Sequence, residues 1–455
     1  MYWEKELEQL ERKNLEALQV KRLNATLRQA LNSTHYRKKS EISRAAASGL
    51  KSIEQIWELP FTTKEELRSD FPWGFLAADK RDVVRLHSSS GTTGNPTVVY
   101  HNRHDLGSWA NLMARSLFAA GVRDTDVFQN ICGYGLFTGG LGFQYGVEKL
   151  GCLSIPAGAG NSLRQIKLMR DFGTTVAHAI PSYLGRLYDV FKEEGLDPRK
   201  DTQLHTLVIG AEPHTDAHRR RIEEMFGVKA YNSFGLSEMN GPGVAFECTE
   251  QNGLHIWEDA YVVEIMDPKT QQPVADGEVG ELVMTTLDRQ AMPIIRYRTR
   301  DLTRFLPGEC KCGRTHRRID RISGRSDDMF IVKGCNVFPM QVEGILMRLP
   351  EVGDDYRILL DTIDDQDEMI VEVEVKKEWF KGDLAFLDRL QKHITRLIRD
   401  EVLVRPLIKL VEPGSIPKAE GKAVRVIDKR KPYGRRRRSI AYSPCLVDIA
   451  LPEAT

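Results

Sequence analysis

Apolar residues follow two different periods along the chain, and each period predicts one kind of element. Between residues 126 and 231, short apolar runs alternate with longer stretches whose apolar positions lie three and four residues apart. The short runs predict buried strands, and the longer stretches predict amphipathic helices. Strands are predicted at 126–131, 153–156, 175–179 and 206–210 and from 229 onward, with helices at 162–171, 182–194 and 215–226.

This alternation indicates βαβ units and a parallel sheet. In such a sheet, ligands bind at the carboxyl ends of the strands. Three segments that follow predicted strands are therefore expected at that edge, namely 133–140, 210–213 and 233–238.

The residues before this sheet are predicted to be mainly helical. Residues 3–38 have apolar positions at helical spacing, and they predict a helical cap that extends to about residue 75. Thr63 is expected to be the N-cap of a short helix. Asp105 is expected to cap a helix that runs through Ala120 and stops at Gly121.

The pattern changes again after the βαβ region. A β subdomain is expected at about 254–322, with strands at 261–265, 280–285 and 292–297. Farther along, an α+β pattern is predicted, with helices at 340–349 and 383–401 and strands at 368–375 and 407–411.

We therefore expect an α/β fold with two domains, because 455 residues exceed what a single core usually holds. The large N-terminal domain of βαβ units, with its β subdomain, is predicted at 1–326. A small mobile α+β domain is predicted at 327–432. Residues 433–455 include four consecutive arginines and no clear period, so a disordered tail is expected there.

Composition narrows the classes of protein that the chain can represent. The formal net charge is +1, with 41% hydrophobic and 28% charged residues, which is ordinary for a globular protein. This balance gives no reason to expect nucleic acid as a partner, and no apolar run approaches the roughly 20 residues that span a bilayer. Without a signal-peptide pattern, we expect a cytoplasmic protein whose seven cysteines are thiols or metal ligands.

A loop rich in hydroxyl groups and glycine lies at 88–97, between predicted strands at 83–86 and 97–100. Backbone N–H groups of a glycine loop and the Ser and Thr hydroxyls can together bind a polyphosphate. The loop lacks the Gly-Lys-Ser/Thr of a Walker loop. A flexible linker is the alternative. The expected phosphate-binding residues are Ser88, Ser89, Ser90, Gly91, Thr92, Thr93 and Gly94.

Loop 88–97 resembles the phosphate loop of the adenylate-forming superfamily, which includes acyl-CoA synthetases and luciferases of the firefly type. The usual loop has a lysine after its proline, where this chain has Thr97. Further segments resemble motifs of that superfamily and follow in the same order, at 211–213, 232–238, 296–302, 324–328 and 416–425.

The resemblance implies a nucleotide site. Asp301 would accept hydrogen bonds from both ribose hydroxyls, and Arg325 would contact the phosphate or ribose. The segments lining the nucleotide would contribute Ala211, Glu212, Pro213, Asn232, Ser233, Phe234, Gly235 and Ser237.

The resemblance also implies the groups that act on the phosphates. Glu238 would be the protein ligand of Mg²⁺, which prefers oxygen donors. Lys422, on a late glycine loop, would stabilise charge on the α-phosphate. Asp327 would be the hinge about which the small domain reorients between two half-reactions.

Three narrower signals resemble the phenylacetate–CoA ligases. These are segment 133–142, Arg300 immediately before Asp301, and segment 332–339. The first implies a pocket for a flat aromatic acid, bound by Tyr134, Phe137 and Gly139. A glycine-rich helix start that serves packing alone is the alternative. Phenylacetate, hydroxyphenylacetate, indoleacetate and benzoate-like acids all suit such a pocket.

Four residues are candidates for a structural zinc site. Cys310 and Cys312 form a close pair, and Cys248 and His255 could complete a tetrahedral Cys₃His set. His316 is a rival fourth ligand, and unconnected reduced thiols are the alternative to any metal site.

Together with the resemblance, these features predict an ATP-dependent ligase that activates an aryl acid, with phenylacetate as the first choice, as acyl-AMP and transfers it to coenzyme A, releasing AMP and pyrophosphate. ATP, Mg²⁺ and coenzyme A are the expected cofactors, zinc is a possible structural metal, and the resemblance suggests a homodimer. A nucleotidyltransferase that adenylates a cofactor without forming a thioester is the alternative. A binding module with degenerate catalysis is a third hypothesis.

Overall fold

The computed structural model describes residues 1–89, 95–333, 335–363, 366–417 and 424–430. The chain divides into two compact units. The larger unit contains the described residues up to Met329, and the smaller unit contains those from Phe330 onward. The expected disordered tail at 433–455 lies outside the described residues.

The helices are α1 (Lys5–Glu8), α2 (Arg12–Ala30), α3 (Thr34–Arg37), α4 (Ser40–Ser48), α5 (Lys64–Ser69), α6 (Arg103–Ala119), α7 (Thr138–Leu150), α8 (Ser162–Asp171), α9 (Pro181–Glu193), α10 (Pro198–Asp201), α11 (Asp216–Phe226), α12 (Pro339–Leu346) and α13 (Leu384–Val402). Short 3₁₀ turns occur at Glu54–Glu58, Lys80–Asp82 and Ser237–Met239.

The strands are β1 (Arg85–Ser88), β2 (Val98–His101), β3 (Val127–Asn130), β4 (Leu153–Ile155), β5 (Val176–Ala179), β6 (Thr206–Gly210), β7 (Lys229–Phe234), β8 (Ala245–Glu247), β9 (Leu254–Ile256), β10 (Tyr261–Met266), β11 (Gly280–Thr286), β12 (Tyr297–Thr303), β13 (Phe305–Leu306), β14 (Arg318–Ile319), β15 (Gly324–Arg325), β16 (Phe330–Val332), β17 (Cys335–Val337), β18 (Val352–Ile363), β19 (Gln366–Val375), β20 (Leu407–Val411) and β21 (Val426–Asp428).

A nine-stranded sheet forms the centre of the larger unit, with the order β13-β14-β9-β8-β7-β6-β5-β3-β4. Its strands β7, β6, β5, β3 and β4 are parallel, and the remaining pairs are antiparallel. Helices separate the parallel strands along the chain, so the predicted βαβ units and α/β fold class are confirmed. The carboxyl ends of the parallel strands meet at one edge of this sheet.

A second sheet of the larger unit has the order β10-β11-β12-β15. The predicted strands at 261–265 and 280–285 are confirmed in β10 and β11. The predicted strand at 292–297 is wrong, because β12 begins only at Tyr297. In the preceding segment, the N–H groups of Ile294 and Arg296 donate to the hydroxyls of Thr286 and Thr285, and Arg296 has a positive φ of 47°. Threonine hydroxyls therefore accept the hydrogen bonds that backbone carbonyls would accept in a regular strand pair.

Helix caps explain where two helices of the larger unit begin. Thr63 forms a capping box with Glu66, which confirms it as the N-cap of α5. The prediction for Asp105 is wrong, because Asn102 is the N-cap of α6 and Asp105 is the third helical residue. The buried Asp105 carboxylate also accepts hydrogen bonds from the N–H groups of Gln290 and Ala291, at 2.8 and 3.0 Å.

The N-terminal segment is held by contacts with residues far along the chain. The hydroxyl of Tyr2 donates to the carbonyl of Cys312 at 2.9 Å, and Arg314 donates to the buried Glu8 carboxylate at 2.6 Å. The N–H of Thr315 donates to the carbonyl of Glu8 at 3.1 Å. These contacts fix the first helix of the chain onto loop 310–316.

A buried arginine joins the same N-terminal region to the core. Arg115 is 1% exposed and pairs with Asp259 at 2.7 Å and with Glu4. Burial opposes ionisation of Asp259, but the charge and hydrogen bonds of Arg115 lower the pKa of this carboxyl. Two charges removed from water stabilise the fold only as long as each keeps its partner.

The smaller unit contains a sheet with the order β20-β19-β18-β21 and the helices α12 and α13. The helices predicted at 340–349 and 383–401 correspond to α12 and α13, and the predicted strands correspond to β19 and β20. Strand β18 was not predicted, because Asp354, Asp355 and Arg357 interrupt its apolar pattern.

Across the part of the chain that the structure describes, no helix is both long enough and apolar enough to cross a membrane.

We expect Asp259→Asn to lower the free energy of unfolding of the larger unit by about 3 kcal/mol, because it leaves the buried charge of Arg115 without its buried partner, and the remaining partner, Glu4, is partly exposed. Urea denaturation followed by tryptophan fluorescence measures this loss. The matched control is Asp171→Asn, which removes an exposed pair with Lys167 on α8. The control is expected to change the free energy by less than about 0.5 kcal/mol. Equal effects of the two substitutions would contradict the role of burial.

Candidate active site

A cavity of about 860 Å³ opens at the carboxyl edge of the parallel strands. All the described residues that line it belong to the larger unit. Most of them come from the ends of β3, β5, β6 and β7, from the start of α7, and from β12 and β15. This is the edge at which an open α/β sheet binds its ligands.

The hydroxyl-rich loop reaches this cavity through the residues at its base. Ser89 and Thr97 both line the cavity. The N–H of Thr97 donates to the hydroxyl of Ser89 at 2.9 Å, and the N–H of Ser89 donates to the carbonyl of Thr97 at 3.0 Å. Ser88 is buried, and its N–H donates to the carbonyl of Leu136. The predicted phosphate-binding residues Ser90, Gly91, Thr92, Thr93 and Gly94 lie outside the described residues.

A lysine that the sequence did not single out also lines the cavity. Lys64 is the first residue of α5. The side chain of Asn95 donates to the carbonyl of Arg68 in the same helix, at 3.4 Å, so α5 lies beside the hydroxyl-rich loop. Lys64 therefore supplies a positive charge near the loop whose usual lysine is replaced by Thr97.

The segment after β6 forms one wall of the cavity with Ala211, Glu212 and Pro213. Ala211 has a positive φ of 67°, a conformation that costs free energy in a residue with a Cβ. Glu212 fixes this turn, because its carboxylate accepts hydrogen bonds from the N–H and the hydroxyl of Ser182 in the first turn of α9. The predicted residues of this segment are thus brought to the cavity.

The segment after β7 forms the adjacent wall. The predicted residues Asn232, Ser233, Phe234, Gly235 and Ser237 all line the cavity. Gly235 is required by a close backbone approach, because an added Cβ would lie 2.7 Å from the Cα of Pro242. The hydroxyls of Ser237 and Thr138 are 3.2 Å apart, which joins this segment to the start of α7.

Glu238 is a buried carboxylate at the end of the same segment, with 7% of its surface exposed. The hydroxyl of Tyr297 donates to Glu238 Oε1 at 3.0 Å, and Arg289 donates to the Glu238 carbonyl. Burial, together with the charge of Glu238, raises the pKa of Tyr297 well above its usual value. Tyr297 therefore remains a hydrogen-bond donor, and Glu238 offers oxygen atoms of the kind that Mg²⁺ binds.

Asp301 and Arg325 lie opposite each other on the paired strands β12 and β15. Arg325 Nη1 donates to Asp301 Oδ1 at 3.1 Å, and Arg325 Nε donates to Asp327 Oδ1 at 2.9 Å. Burial alone would lower the pKa of Arg325, but the hydrogen bond to Asp327 and the charge of Asp301 raise it. All three residues line the cavity, so the predicted ribose ligand, phosphate contact and hinge are adjacent.

Of the three residues predicted to bind the acid, two line the cavity and one does not. Phe137 and Gly139 line the cavity, and a Cβ added to Gly139 would meet open space. Tyr134 is not among the described residues that line it. Its hydroxyl accepts a hydrogen bond from Asn130 and donates to Gln144, both at 3.0 Å, and burial raises its pKa.

Several lining residues were missed by the sequence analysis, among them Ile131, Cys132, Phe143, His178 and Ile180. Two signals in the sequence could have found three of them. Cys132 and Ile180 directly follow predicted strands, at the edge where ligands bind, and His178 is a polar residue inside a predicted buried strand. Sequence spacing alone does not show that His178 and Cys132 face the same cavity.

The candidate metal ligands form one cluster in the larger unit. The ligand atoms of Cys248, His255, Cys310 and Cys312 all lie within 4.8 Å of one another. With zinc–sulfur bonds of about 2.3 Å, two thiolates of a tetrahedral site lie about 3.8 Å apart. The sulfurs of Cys248 and Cys310 are 3.7 Å apart, and Cys312 Sγ lies 3.3 Å from His255 Nε2. The residues therefore fit a tetrahedral metal ion.

The rival ligand His316 points elsewhere. Its Nδ1 accepts a hydrogen bond from the N–H of Glu258 at 3.0 Å, and its Nε2 lies 2.9 Å from the carbonyl of Leu7. The carbonyl of His316 lies 3.3 Å from Nδ1 of His255. A carbonyl at Nδ1 leaves Nε2 of His255 as the nitrogen for a metal.

Most of the late glycine loop at 416–425 lies outside the described residues. Lys422, which the resemblance implies as the catalytic cation, lies outside the described residues.

Comparison with known families gives two matches. The model described as AMP-binding enzyme matches residues 17–287, and the model described as AMP-binding enzyme C-terminal domain matches residues 334–430.

Individual relatives cover nearly the whole chain. A protein of Thermus thermophilus named phenylacetate-coenzyme A ligase is 42% identical over 446 residues, covering 95% of this chain and 100% of that protein. One of Escherichia coli with the same name is 42% identical, covering 90% of this chain and 93% of that protein.

A solved structure of 2-hydroxyisobutyryl-CoA ligase in complex with R3-HIB-AMP gives a TM-score of 0.89 at 28% identity, covering 96% of this chain and 94% of that one. That structure shows the ligase with the adenylate R3-HIB-AMP bound. The chain therefore belongs to the AMP-binding, or adenylate-forming, enzyme family, and within it to the phenylacetate–CoA ligases.

Proposed function

We propose that this chain activates phenylacetate as an acyl-adenylate and transfers the acyl group to coenzyme A, with release of AMP and pyrophosphate. Formation of acyl-AMP from ATP and its transfer to coenzyme A is the chemistry of the family to which the chain belongs. The choice of phenylacetate rests on the names of the relatives and on the cavity. One observation carries the proposal: a single cavity contains both a polar set suited to a nucleotide and an apolar wall suited to an aromatic ring.

The reaction has two steps, and the protein's task in each is to hold reactants and charge in place. In the first step, a carboxylate oxygen of the acid bonds to the α-phosphorus of ATP while the bond to pyrophosphate breaks. In the second, the coenzyme A thiolate bonds to the acyl carbon while the bond to AMP breaks. Because the carboxylate is itself the nucleophile, positioning and charge stabilisation are sufficient.

The nucleotide is proposed to lie along the walls after β6 and β7. Asp301 can accept hydrogen bonds from both ribose hydroxyls, and its pair with Arg325 at 3.1 Å orients it for this task. Phe234 and Ala211 offer the flat and apolar surface that a purine requires. Ser89 of the hydroxyl-rich loop and Lys64 at the start of α5 both line the cavity, and we propose that they contact the phosphates.

Glu238 is proposed as the protein ligand of Mg²⁺. When bound there, the ion would supply positive charge that offsets the negative charge of the phosphates. The Tyr297 hydroxyl holds one Glu238 oxygen at 3.0 Å, which fixes the orientation of the carboxylate. The chain's own contribution to the proposed Mg²⁺ site is therefore a carboxylate of fixed orientation.

Two further roles are proposals that rest on the family resemblance. Lys422 is proposed to stabilise charge on the α-phosphate during the first step. Asp327 is proposed as the hinge of the small domain, whose extent is proposed as 327–432. Asp327 is held by Arg325 at 2.9 and 3.1 Å, so any rotation at this residue must break or carry these two hydrogen bonds. A homodimer is proposed on the resemblance, and a cytoplasmic location is proposed as well.

A structural zinc ion is proposed at the cluster of Cys248, His255, Cys310 and Cys312. The fit of the two sulfur atoms to a tetrahedral spacing supports it, as does the carbonyl at Nδ1 of His255. Four protein ligands leave no open position, so the ion would stabilise the fold and take no part in the reaction. It would fix loop 310–316, which holds the N-terminal segment.

Purified chain mixed with ATP, Mg²⁺ and a panel of aryl acids, with and without coenzyme A, tests the proposed function. We expect phenylacetate to give the highest kcat/KM for AMP release, with one thiol consumed per AMP formed, because the acid is released from the enzyme only as a thioester. Aliphatic acids of equal length are the controls. Adenylation of an acceptor without thiol consumption would instead favour the nucleotidyltransferase hypothesis.

We expect Tyr297→Phe to lower kcat/KM about tenfold and to raise the Mg²⁺ concentration for half-maximal rate. The substitution removes a hydrogen bond to a charged acceptor, which is worth about 1.5–3 kcal/mol. The matched control is Tyr356→Phe in the smaller unit, whose hydroxyl donates to the buried Glu343 carboxylate at the same distance of 3.0 Å. The Mg²⁺ titration is expected to be unchanged in the control. If Tyr297→Phe gave the same Mg²⁺ titration as the wild type, the proposal that Tyr297 orients Glu238 for Mg²⁺ would be refuted.

We expect the double substitution Cys310→Ser and Cys312→Ser to remove one zinc ion per chain and to lower Tm by at least about 5 °C, since structural zinc contributes several kcal/mol. Elemental analysis and a thermal melt measure the two effects. Cys152→Ser, which removes a buried thiol outside the cluster, is expected to leave the metal content unchanged. Equal zinc content in the double variant and the wild type would reject the site.

A further inference from the structure

One wall of the cavity combines apolar side chains with a single polar group. The wall lies where β3 and β5 end, and its apolar part consists of Ile131, Phe143 and Ile180. The polar group consists of His178 on β5 and Cys132 after β3. Asn130 at the end of β3 is buried and is not among the described residues that line the cavity, but it contacts His178. The ring of Phe143 stacks on the His178 ring with centroids 3.7 Å apart, so the imidazole is fixed in the plane of the wall.

The hydrogen bonds of Asn130 determine which nitrogen of His178 carries a proton. The amide nitrogen of Asn130 donates to the Tyr134 hydroxyl at 3.0 Å and to the Gly140 carbonyl at 2.8 Å. Its oxygen therefore faces His178 Nδ1, at 3.1 Å, as an acceptor. Nδ1 must carry the hydrogen, and Nε2 of the neutral ring is consequently an acceptor.

The group opposite Nε2 is a weak donor. Cys132 Sγ lies 3.8 Å from His178 Nε2, and Cys132 lines the cavity with it. A thiol donates more weakly than a hydroxyl. Burial lowers the pKa of His178 to about 3, so the ring stays neutral at neutral pH and Nε2 remains an acceptor. Nothing in the two-step reaction requires such an acceptor at this wall.

We propose that His178 Nε2 is the group that recognises a hydrogen-bond donor on the ring of the aryl acid, with the Cys132 thiol replacing that donor when the ring has none. The donors in question are a phenolic O–H or a ring N–H. The proposal rests on the proposed function, and it narrows the class of acid that the same site accepts. It makes His178 and Cys132 specificity-determining residues outside the reaction centre.

The arrangement explains how one cavity can accept both kinds of ring. A buried acceptor left without a donor is costly, so an imidazole alone would reject an unsubstituted ring. The thiol lowers that cost because it satisfies Nε2 in the absence of a ring donor. A hydroxyl on the substrate is the stronger donor and takes the position at Nε2, which favours the hydroxylated acid.

The experiment compares kcat/KM for phenylacetate with that for 3- and 4-hydroxyphenylacetate, measured as AMP release with ATP and coenzyme A. The quantity of interest is the ratio of the better hydroxylated acid to phenylacetate. We expect His178→Leu to lower this ratio about tenfold, since it removes the acceptor. We expect Cys132→Ala to raise the ratio at least about threefold, since only the hydroxylated acid then satisfies Nε2.

Two matched controls distinguish a change in substrate preference from a general effect on the structure. Cys152→Ala removes a buried thiol that does not line the cavity, and Tyr183→Phe removes a hydroxyl of the cavity wall that already pairs with Ser162 at 3.0 Å. Both are expected to leave the ratio unchanged. Loss of stability alone lowers both rates together and does not move a ratio.

Opposite shifts of the ratio in the two variants would support the proposal. An unchanged ratio in both, or shifts in the same direction, would overturn it. If His178→Leu does not fold, Cys132→Ala decides alone, and an unchanged ratio in that variant overturns the proposal. Failure of the proposed function is a different result, because the wild-type chain would then release AMP with none of the three acids.

Discussion

Two carboxylates are buried at one edge of the nine-stranded sheet, those of Glu238 and Asp301, and each needs a hydrogen-bonding partner there. This requirement determines much of the site. Glu238 is held by Tyr297 and Asp301 by Arg325, and the half-buried Glu212 is held by the first turn of α9. Removing a carboxylate from water without such a partner would cost more than the fold can offset. The strands that deliver the partners are therefore as necessary to the site as the acids themselves.

The same requirement joins the two sheets of the larger unit. Glu238 follows a parallel strand of the large sheet, whereas Tyr297 and Asp301 belong to β12 of the second sheet. The cavity exists because strands of both sheets meet at this edge. Its polar part is consequently rigid where the nucleotide is proposed to bind, and its apolar part is formed by β3, β5 and α7.

Sequence patterns predicted the parallel sheet well, because each strand is a short apolar run and each helix has its own period. Motif order also singled out residues that lie together, since Ala211, Gly235 and Asp301 all line the cavity. The failures have local physical causes. The wrong cap at Asp105 arose because a neighbouring Asn102 fits the same rule, and the wrong strand at 292–297 arose because threonine hydroxyls replace ladder partners there. The pairing of His178 with Cys132 depends on the register of two strands, which spacing alone does not reveal.

Contacts between distant parts of the chain were beyond any pattern in the sequence, and the N-terminal segment illustrates this. Glu8 is fully buried, and its carboxylate accepts a hydrogen bond from Arg314, which lies 306 residues later in the chain. At about 5–20 residues per second, a ribosome takes on the order of 15–60 s to make that many residues. During synthesis, Glu8 therefore lacks this partner until loop 310–316 has been made, so the N-terminal segment reaches its final contacts late in the folding of the larger unit.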